Sequence, residues 1–292
     1  MAESKWLRVS KRRRCEICKR PDWCTYTATV ACCMRTPSPR QARNGGWLHW
    51  LADTPQPQPM ALPAPYSPPD GQPVDWAGLL ASWTTTTVAD RLAAHAADLG
   101  VSIWSLRRLG IAWAAPHRAW AFPMRNPDGT VCGIRLRAES GKKWAVTGSH
   151  QGLFIPDKGQ IGDQVDQVLV CEGPTDTAAM LDLGFVAIGR PSCSGSVEAL
   201  AGLLRRRNVV IVSDRDEGKL RPDGTVFFPG QEGSDRLAAA LVGGCLSVRI
   251  IRPLRGKDAR EWVRSGATTD VVRTVIRNRN LVPQYDQKGH RK

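Results

Sequence analysis

Several features are scarce or missing in this 292-residue sequence. It has no uninterrupted apolar run of the roughly 18 residues that a membrane-spanning helix requires. Its first residues, MAESKWLRVSKRRRC, lack the hydrophobic segment of a secretory signal, so we expect a cytoplasmic protein. No GxxxxGK[ST] sequence is present, which excludes a P-loop motor within these residues. Tyrosine is rare as well, since the chain has only Tyr26, Tyr66 and Tyr285.

Acidic residues are too few to balance the basic ones. There are 41 Lys and Arg against 27 Asp and Glu, which gives a formal net charge of +14 and a pI near 9.8. A surplus of this size favours polyanionic partners, and nucleic acid is the most common of them. The alternative interpretation is a basic surface that only keeps the protein soluble.

The composition changes along the chain and predicts five regions. Five of the nine cysteines fall within residues 15–33, and eight prolines fall within residues 53–73. A cysteine cluster in an intracellular protein indicates a metal site, whereas a proline-rich segment lacks backbone donors and forms an extended linker. The predicted regions are a cysteine-rich, metal-binding module (1–50), a proline-rich linker (51–75), a small basic α+β subdomain (76–160), an α/β domain (161–270) and a basic tail (271–292).

Residues 161–270 alternate between short apolar segments and amphipathic segments. The runs QVLVCE, FVAIGR, VVIVSD and SVRIIRP predict strands, and the residues between them predict helices. Buried strands joined by helices are typical of a parallel sheet that is covered on both faces. Upstream, residues 88–109 predict two short helices around Gly100, and the sequence NPDG predicts a hairpin turn. The expected fold class is therefore a Rossmann-like parallel α/β domain, preceded by a small α+β region and by an N-terminal module of the zinc-ribbon-like type.

Carboxylates follow two of the predicted strands directly. Glu172 ends one strand, and Asp214 and Asp216 follow another. In a doubly wound sheet, ligands bind beyond the carboxyl ends of the strands, so we expect these three acids to converge on one edge. Clustered carboxylates repel one another, and a hard divalent cation such as Mg²⁺ neutralises them. The alternative is that these residues only form caps and turns.

The sequences EGPTD at Glu172, SDRD at Asp214 and Asp216, and GKDAREW downstream resemble the motifs of the Toprim domain. This domain is shared by DnaG-like primases, type IA and II topoisomerases, OLD-family nucleases and RecR-like proteins, and the resemblance covers residues 164–265. It implies that Glu172 is the general acid or base of nucleotidyl transfer and that all three acids form a catalytic Mg²⁺ or Mn²⁺ site. Asp258 corresponds to a further acidic residue of the domain. Asp176, early in a predicted helix, is expected to interact with the helix dipole, with metal binding as the alternative.

Basic residues ahead of and within this domain are candidate contacts for nucleic acid or nucleotide. Arg135 and Arg137 share one face of a predicted strand, Lys142 and Lys143 follow it, and Lys257 precedes an acid. The stretch FPMRNPDGTVCGIRLR resembles the basic subdomain of phage-type primases, which implies contacts with template or nucleotide phosphates. The alternatives are a solvated strand face and, for Lys257, an ordinary surface lysine.

The cysteine cluster has the spacing of a zinc site. Cys15 and Cys18 form a CxxC pair, Cys24 follows, and Cys32 and Cys33 are adjacent. A CxxC turn presents two thiolates to one tetrahedral Zn²⁺, and two further thiolates complete a structural site. The spacing leaves the fourth ligand open, and free thiols are the alternative. The pattern resembles the N-terminal zinc-binding modules of phage and plasmid primases, which implies Cys33 as the fourth ligand and Cys32 as the alternative.

Three other residues of the module have two interpretations each. His49 is a weaker candidate for the fourth zinc ligand or an ordinary polar residue. Trp23 and Tyr26 are available to stack on single-stranded nucleic acid, or they belong to the core of the module.

Together, these resemblances imply a DnaG-like DNA primase, a nucleotidyltransferase that makes short RNA primers on single-stranded DNA from nucleoside triphosphates. Structural Zn²⁺ and Mg²⁺ or Mn²⁺ are the implied cofactors. Because no P-loop is present, a replicative helicase is expected as a separate partner, and a mobile element such as a phage or plasmid is the expected source.

A non-catalytic RecR-like DNA-binding protein and a Toprim nuclease are the alternatives. A topoisomerase is disfavoured, because its nucleophilic tyrosine belongs to a second large domain, whereas the three tyrosines here lie in the predicted module, linker and tail.

Overall fold

The computed structural model of the chain describes residues 6–42, 46–51, 74–157, 161–162, 164–193, 195–221 and 224–283. Most of the predicted linker (51–75) and the last nine residues of the predicted tail (271–292) lie outside the described residues. The chain divides into two compact units, Met1–Leu62 and Pro63–Lys292. The sequence predicts a boundary at residue 160 between the basic α+β subdomain and the α/β domain, and both regions belong to the second unit. This boundary stays a prediction.

The first unit contains a small antiparallel sheet whose strands pair in sequential order. Its strands are β1 (Leu7–Arg8), β2 (Thr25–Tyr26), β3 (Val30–Cys33) and β4 (Trp47–Trp50). Its buried cluster consists of Val9 and the cysteines Cys15, Cys24 and Cys33. So few apolar side chains do not stabilise a unit of this size, which generally needs a metal or disulfides.

The second unit begins with three helices that lead into a four-stranded antiparallel sheet. The helices are α1 (Trp76–Thr85), α2 (Ala89–Leu99) and α3 (Ile103–Arg108), and the strands are β5 (Ala112–Ala114), β6 (Ala119–Arg125), β7 (Val131–Ala138) and β8 (Lys143–Ala145), with a 3-10 helix at Ala115–His117. Helices α2 and α3 confirm the pair predicted around Gly100, whose φ of 68° forms a left-handed C-cap without strain. The NPDG turn joins β6 to β7 as predicted. Helix α1 was not predicted; the Asp75 side chain caps it by accepting a hydrogen bond from the Gly78 backbone N–H.

The second sheet of this unit is parallel throughout, as the alternating sequence predicts. Its strands are β9 (Gln167–Glu172), β10 (Ala187–Arg190), β11 (Asn208–Val212) and β14 (Ser247–Ile251), in the order β10-β9-β11-β14. The helices that follow these strands are α4 (Pro174–Asp182), α5 (Val197–Leu203), α6 (Pro229–Leu241), α7 (Ala259–Arg264) and α8 (Thr269–Arg277). A short hairpin of β12 (Lys219–Leu220) and β13 (Val226–Phe227), which was not predicted, lies between β11 and α6.

Apolar side chains cover both faces of the parallel sheet. Within β9, Leu169 and Cys171 belong to one hydrophobic cluster, and Val168 and Val170 belong to another. This alternation follows from the two-residue period of a strand. The first cluster also contains residues of α2 and α3, so the helical and antiparallel part packs against the parallel sheet. None of the helices in the described part of the chain is long and apolar enough to cross a membrane.

Candidate active site and metal centre

A cleft of about 310 Å³ lies at the carboxyl ends of the parallel strands. Glu172 ends β9, Asp214 and Asp216 follow β11, and all three line the cleft. Asp258, the N-cap residue of α7, lines it as well. Arg215, between the two aspartates, is exposed, whereas both aspartates are partly buried. The structure therefore brings the four predicted acids together at one sheet edge.

A fifth carboxylate, that of Asp176, lines the same cleft. Asp176 lies in the first turn of α4, and only 6% of its surface is exposed. Its Oδ1 accepts a hydrogen bond from the backbone N–H of Arg260 at 3.0 Å, which joins α4 to α7. The position agrees with the expected interaction with the helix dipole, and the side chain also faces the other acids.

Backbone donors at helix N-termini orient two further acids. Asp216 Oδ2 accepts a hydrogen bond from the N–H of Gly230, in the first turn of α6, at 2.6 Å. Asp258 Oδ1 accepts one from the N–H of Glu261 at 2.7 Å. A Cβ atom at position 230 would lie 2.8 Å from the Asp216 carboxylate, so glycine permits this close approach. The positive ends of both helices thus face carboxylates.

Five basic residues line the cleft together with the acids: Arg135 and Arg137 of β7, Lys143 of β8, Lys257, and Arg260 of α7. Arg135 and Arg137 share one strand face, and Lys143 pairs with Arg137 across the antiparallel sheet. The Nζ atom of Lys142 lies 5.8 Å from the centre of the Trp144 ring instead. Of the basic residues predicted for this site, Lys142 does not line the cleft.

Burial and mutual repulsion raise the pKa values of three of the acids. Burial, followed by the negative charge of Asp176, raises the pKa of Asp214 to about 8. Burial, followed by the charge of Asp258, raises the pKa of Asp176 to about 7. Burial also raises the pKa of Glu172, and the charge of Arg190 opposes that shift. Ionisation of these carboxyl groups is therefore unfavourable in the cleft, and a bound cation would lower the free energy of the ionised forms.

The carboxylates suit a hard cation that also contacts a phosphorylated ligand. Mg²⁺ prefers oxygen ligands and is usually held by one or two carboxylates together with substrate phosphates. Among the described residues, only the cysteine cluster brings three or more metal-ligating atoms within 4.8 Å of one another. The carboxylates therefore line a wider cleft, which leaves room for ligand oxygens to complete the coordination of a metal.

Four cysteines of the first unit form a separate candidate metal centre. The Sγ atoms of Cys15, Cys18, Cys24 and Cys33 lie within 4.8 Å of one another. The Cys18–Cys24 Sγ distance is 3.7 Å. Zn–S bonds of about 2.3 Å in a tetrahedron separate the sulfur atoms by about 3.8 Å. The four residues therefore fit one structural Zn²⁺, and the fourth is Cys33, as the resemblance implies.

Two alternative ligands lie outside this cluster. Cys32 and Cys33 are consecutive in β3, so their side chains point to opposite faces of the strand. His49 Nε2 lies 2.9 Å from the carbonyl oxygen of Thr36.

Backbone donors contact two sulfur atoms of the cluster. The backbone N–H of Thr36 donates to Cys33 Sγ at 3.3 Å, and that of Met34 donates to Cys24 Sγ at 3.4 Å. Such hydrogen bonds stabilise thiolates and orient metal ligands.

The chain is similar in architecture to several solved primase structures. A DnaG catalytic core has 17% identity and a TM-score of 0.54, over 70% of this chain and 80% of its own. A DnaG primase catalytic domain bound to ssDNA has 16% identity and a TM-score of 0.54, over 73% of this chain and 84% of its own. The zinc-binding and RNA polymerase domains of Aquifex aeolicus primase have 12% identity and a TM-score of 0.55, over 70% of this chain and 60% of their own. The chain has the fold of a DnaG-type primase catalytic core.

This primase fold is recognised by its three-dimensional arrangement, at sequence identities of 12–17% in these three comparisons. No protein-family model and no curated protein matches the sequence. The similarity therefore establishes the fold, and the chemistry has to be argued from the residues of the cleft.

Three charged residues at this edge of the primase fold were missed or undervalued by sequence reasoning. Asp176 follows Glu172 by four residues across a strand–Gly–Pro–helix junction, which returns the helix to the same sheet edge. Arg260 follows Asp258 by two residues, within the GKDAREW motif. Arg190 ends β10 in register with Glu172, is 2% exposed, and donates to two backbone carbonyl groups. Spacing in the sequence could have indicated the first two, whereas only strand pairing reveals Arg190.

Proposed function

We propose that the chain is a DNA primase, a nucleotidyltransferase that synthesises short RNA primers from nucleoside triphosphates on single-stranded DNA. The observation that carries this proposal is the cleft, in which five carboxylates and five cationic side chains meet at the carboxyl edge of a parallel sheet. Transfer of a phosphoryl group between polyanions depends on positioning and on charge stabilisation. The carboxylates supply a site for divalent metal, and the cations supply contacts for phosphate. The resemblance of the motifs EGPTD, SDRD and GKDAREW supports a Toprim type for this region.

The acids have distinct proposed roles. Asp214 and Asp216 hold Mg²⁺ or Mn²⁺ together with Glu172, and Asp258 is a further ligand. When bound, the metal would polarise the phosphoryl group and neutralise the charge that develops on it. Glu172 exchanges a proton with the reacting hydroxyl as general acid or base. Burial raises the pKa of Glu172 above the usual value of a glutamate, which favours the protonated form.

The basic residues bind the phosphates of template and nucleotide in this proposal. Arg135 and Arg137 present two guanidinium groups from one face of β7, and Lys143 extends the same row from β8. Lys257 and Arg260 approach from the segment around the start of α7. Contacts of this kind position a polyanion without reading its sequence.

The cysteine unit is proposed as a zinc-stabilised second contact to the template, joined by the proline-rich linker. The proposed division of the chain is a zinc-binding module (1–50), a linker (51–75), a basic subdomain (76–160), a Toprim domain (161–270) and a basic tail (271–292), of which residues 271–277 belong to α8. A replicative helicase is the proposed separate partner.

Unprimed synthesis tests the proposal. Purified full-length protein is incubated with single-stranded DNA, labelled nucleoside triphosphates and Mg²⁺ or Mn²⁺, and the products are separated by length. Glu172→Gln removes the proposed acid or base and is expected to abolish synthesis, a loss of about 100-fold or more. Glu198→Gln, on the exposed surface of α5, is the matched control and is expected to leave synthesis unchanged.

The products distinguish the proposed primase from the alternatives. Template-dependent oligonucleotides that are lost in Glu172→Gln and kept in Glu198→Gln support a primase. Degradation of the template that depends on Glu172 indicates a nuclease. DNA that is bound and left unchanged, also after addition of a replicative helicase, indicates a non-catalytic binding protein.

A further inference from the structure

Trp23 is 79% exposed, more than any other large hydrophobic residue in the described part of the chain. It directly precedes Cys24, one of the four clustered cysteines. A large aromatic ring in water forgoes the favourable burial that normally places it in a core or an interface. The structure therefore decides between the two interpretations of Trp23, because its ring does not belong to the core of the unit.

The backbone of Trp23 adopts a conformation that a bulky residue rarely uses. Its φ is 66°, in the left-handed region that glycine and asparagine occupy with the least strain. Residues held in such conformations cluster at functional sites, where the surrounding structure enforces them. A tryptophan at a position suited to glycine indicates that the ring itself is needed there.

Arg35 fixes the orientation of this ring. Its guanidinium carbon lies 5.2 Å from the centre of the Trp23 ring, within the range of a cation–π contact. Its Nη2 donates to Asp22 Oδ1 at 2.6 Å, and its Nη1 donates to the Asp22 carbonyl oxygen at 3.1 Å. Nη1 also lies 3.9 Å from Cys18 Sγ and 4.0 Å from Cys24 Sγ. The ring is thus tied to the cysteine cluster, with Arg35 on one side and solvent on most of the remaining surface.

The unit that carries Trp23 is strongly basic. Residues 1–51 contain eleven Lys and Arg but only three Asp and Glu. The nine basic residues that the structure describes in this unit are all exposed: Arg8, Lys11, Arg12, Arg13, Arg14, Lys19, Arg20, Arg35 and Arg40. A pre-oriented aromatic ring on a unit with many exposed cations is complementary to a nucleobase on a phosphate backbone, because stacking and charge neutralisation are the two components of single-strand binding.

We propose that Trp23, held by Arg35, is a stacking platform for one unpaired base of single-stranded nucleic acid. The ring covers the face of the base, and the exposed cations of the unit contact the neighbouring phosphates. Every base has a π-face, so the platform accepts any of them. The identity of the strand as a DNA template rests on the proposed function, whereas the stacking itself does not.

The test compares two oligonucleotides that have the same backbone. The full-length chain is titrated into a labelled oligothymidine strand and into an abasic deoxyribose-phosphate strand of equal length, at one salt concentration and without nucleoside triphosphates. Affinity for the abasic strand reports the phosphate contacts, and the ratio of the two affinities reports the contribution of the bases. The wild-type ratio is expected to be about tenfold in favour of the thymidine strand.

Trp23→Gly tests the role of the ring in a variant that is expected to keep the fold. Glycine relieves the left-handed backbone, so this variant is expected to retain zinc and to unfold at the wild-type temperature or above it. Its affinity ratio is expected to fall about fivefold to tenfold, while Trp23→Phe keeps most of the ratio. Ser196→Gly is the matched control, since Ser196 has a φ of 59° but carries neither a ring nor a charge, and the affinity ratio of this variant is expected to remain at the wild-type value. Should glycine release zinc, Trp23→Asn serves in its place.

Two results would contradict the stacking platform. One is a wild-type ratio of thymidine-strand to abasic-strand affinity near one, and the other is an affinity ratio that Trp23→Gly leaves unchanged. Self-association of the wild type that disappears in Trp23→Gly, with the ratio unchanged, assigns the ring to a protein contact instead. The stacking platform and the primase activity can fail separately. If Trp23→Gly lowers the affinity ratio but the wild-type protein makes no primers, the platform stands and the primase proposal fails. If the protein makes primers but Trp23→Gly leaves the affinity ratio unchanged, only the primase proposal stands.

Discussion

The two candidate metal sites of this chain are built in opposite ways. The cysteine site takes its four ligands from residues 15–33. The acidic site takes its carboxylates from segments as far apart as Glu172 and Asp258, which meet only because parallel strands end at one edge. The first site offers soft thiolates at close range, and the second offers hard carboxylates around a wider cleft. Local spacing therefore defines the one site, and sheet topology defines the other.

The two sites also differ in their relation to the surrounding fold. In the cysteine unit the buried cluster is Val9 with three of the four clustered cysteines, so the ligands are themselves most of the core. The acidic cleft lies at the edge of a sheet that two extensive hydrophobic clusters cover. We therefore expect the first unit to depend on its metal for folding and the second unit to fold without one. The following predictions, from the largest effect to the smallest, test this contrast.

Loss of one thiolate is expected to unfold the cysteine unit. Cys15→Ser removes a ligand from a site of a kind that contributes roughly 10–16 kcal/mol in small zinc domains, so the protein is expected to lose its zinc. Metal analysis and amide hydrogen exchange over residues 6–51 measure both changes. Cys32→Ser is the control, because Cys32 lies outside the cluster, and it is expected to keep one zinc per chain. Zinc loss in Cys32→Ser with retention in Cys33→Ser would reverse the ligand assignment.

Divalent metal is expected to stabilise the second unit without being required for its fold. Saturating Mg²⁺, at about 100 times its dissociation constant, adds about 2.7 kcal/mol to the free energy of unfolding. Asp214→Asn is expected to abolish this increment, which thermal unfolding with and without Mg²⁺ measures. Asp182→Asn removes a carboxylate that accepts from the Ser102 backbone N–H, at a place outside the cleft. That control is expected to lower the melting temperature and to keep the increment from Mg²⁺, so a loss of the increment in both variants would contradict the site.

Without Mg²⁺, the second unit is expected to lose stability as the pH rises. Burial raises the pKa of Asp214 to about 8 and that of Asp176 to about 7, above the value of roughly 3.9 for an unfolded chain. The folded state therefore binds more protons than the unfolded state between about pH 4 and pH 8. In this window the free energy of unfolding falls with rising pH, by ~1–3 kcal/mol between pH 5.5 and 8. Urea unfolding at several pH values measures the slope, which Asp214→Asn should reduce; a flat profile in the wild type contradicts the raised pKa values.

Two neighbouring lysines test whether the cleft binds the nucleotide, and this test has the smallest expected effect. Lys143 lines it, and Lys142 is exposed beside the Trp144 ring. Lys143→Ala is expected to raise the KM for nucleoside triphosphate about fivefold to tenfold, because one charged contact to phosphate is lost. Lys142→Ala is expected to leave the KM unchanged. Equal effects of the two substitutions would mean that general surface charge, and not the cleft, binds the nucleotide.

Regular elements with a strong hydrophobic period were predictable, and weakly patterned ones were not. The strands that lead to Glu172 and Asp214 are apolar runs, and they appear in the structure as β9 and β11. Helix α1 escaped prediction because its sequence, WAGLLASWTT, has little helical periodicity, and it is held by Trp76 and Trp83 in a core with the antiparallel sheet. The β12–β13 hairpin escaped because its short strands are largely exposed and carry no alternating pattern.

The sequence by itself determined which residues could bind metal: the CxxC pair with its downstream cysteines, and the acids that end apolar strands. These signals depend on neighbours in the chain, so spacing and period carry them. The tertiary structure alone decided that Lys143 lines the cleft and Lys142 does not, and that Arg190 is buried beside Glu172. Those outcomes depend on strand register and on the packing of distant segments against one sheet edge, and no local pattern of residues encodes such contacts.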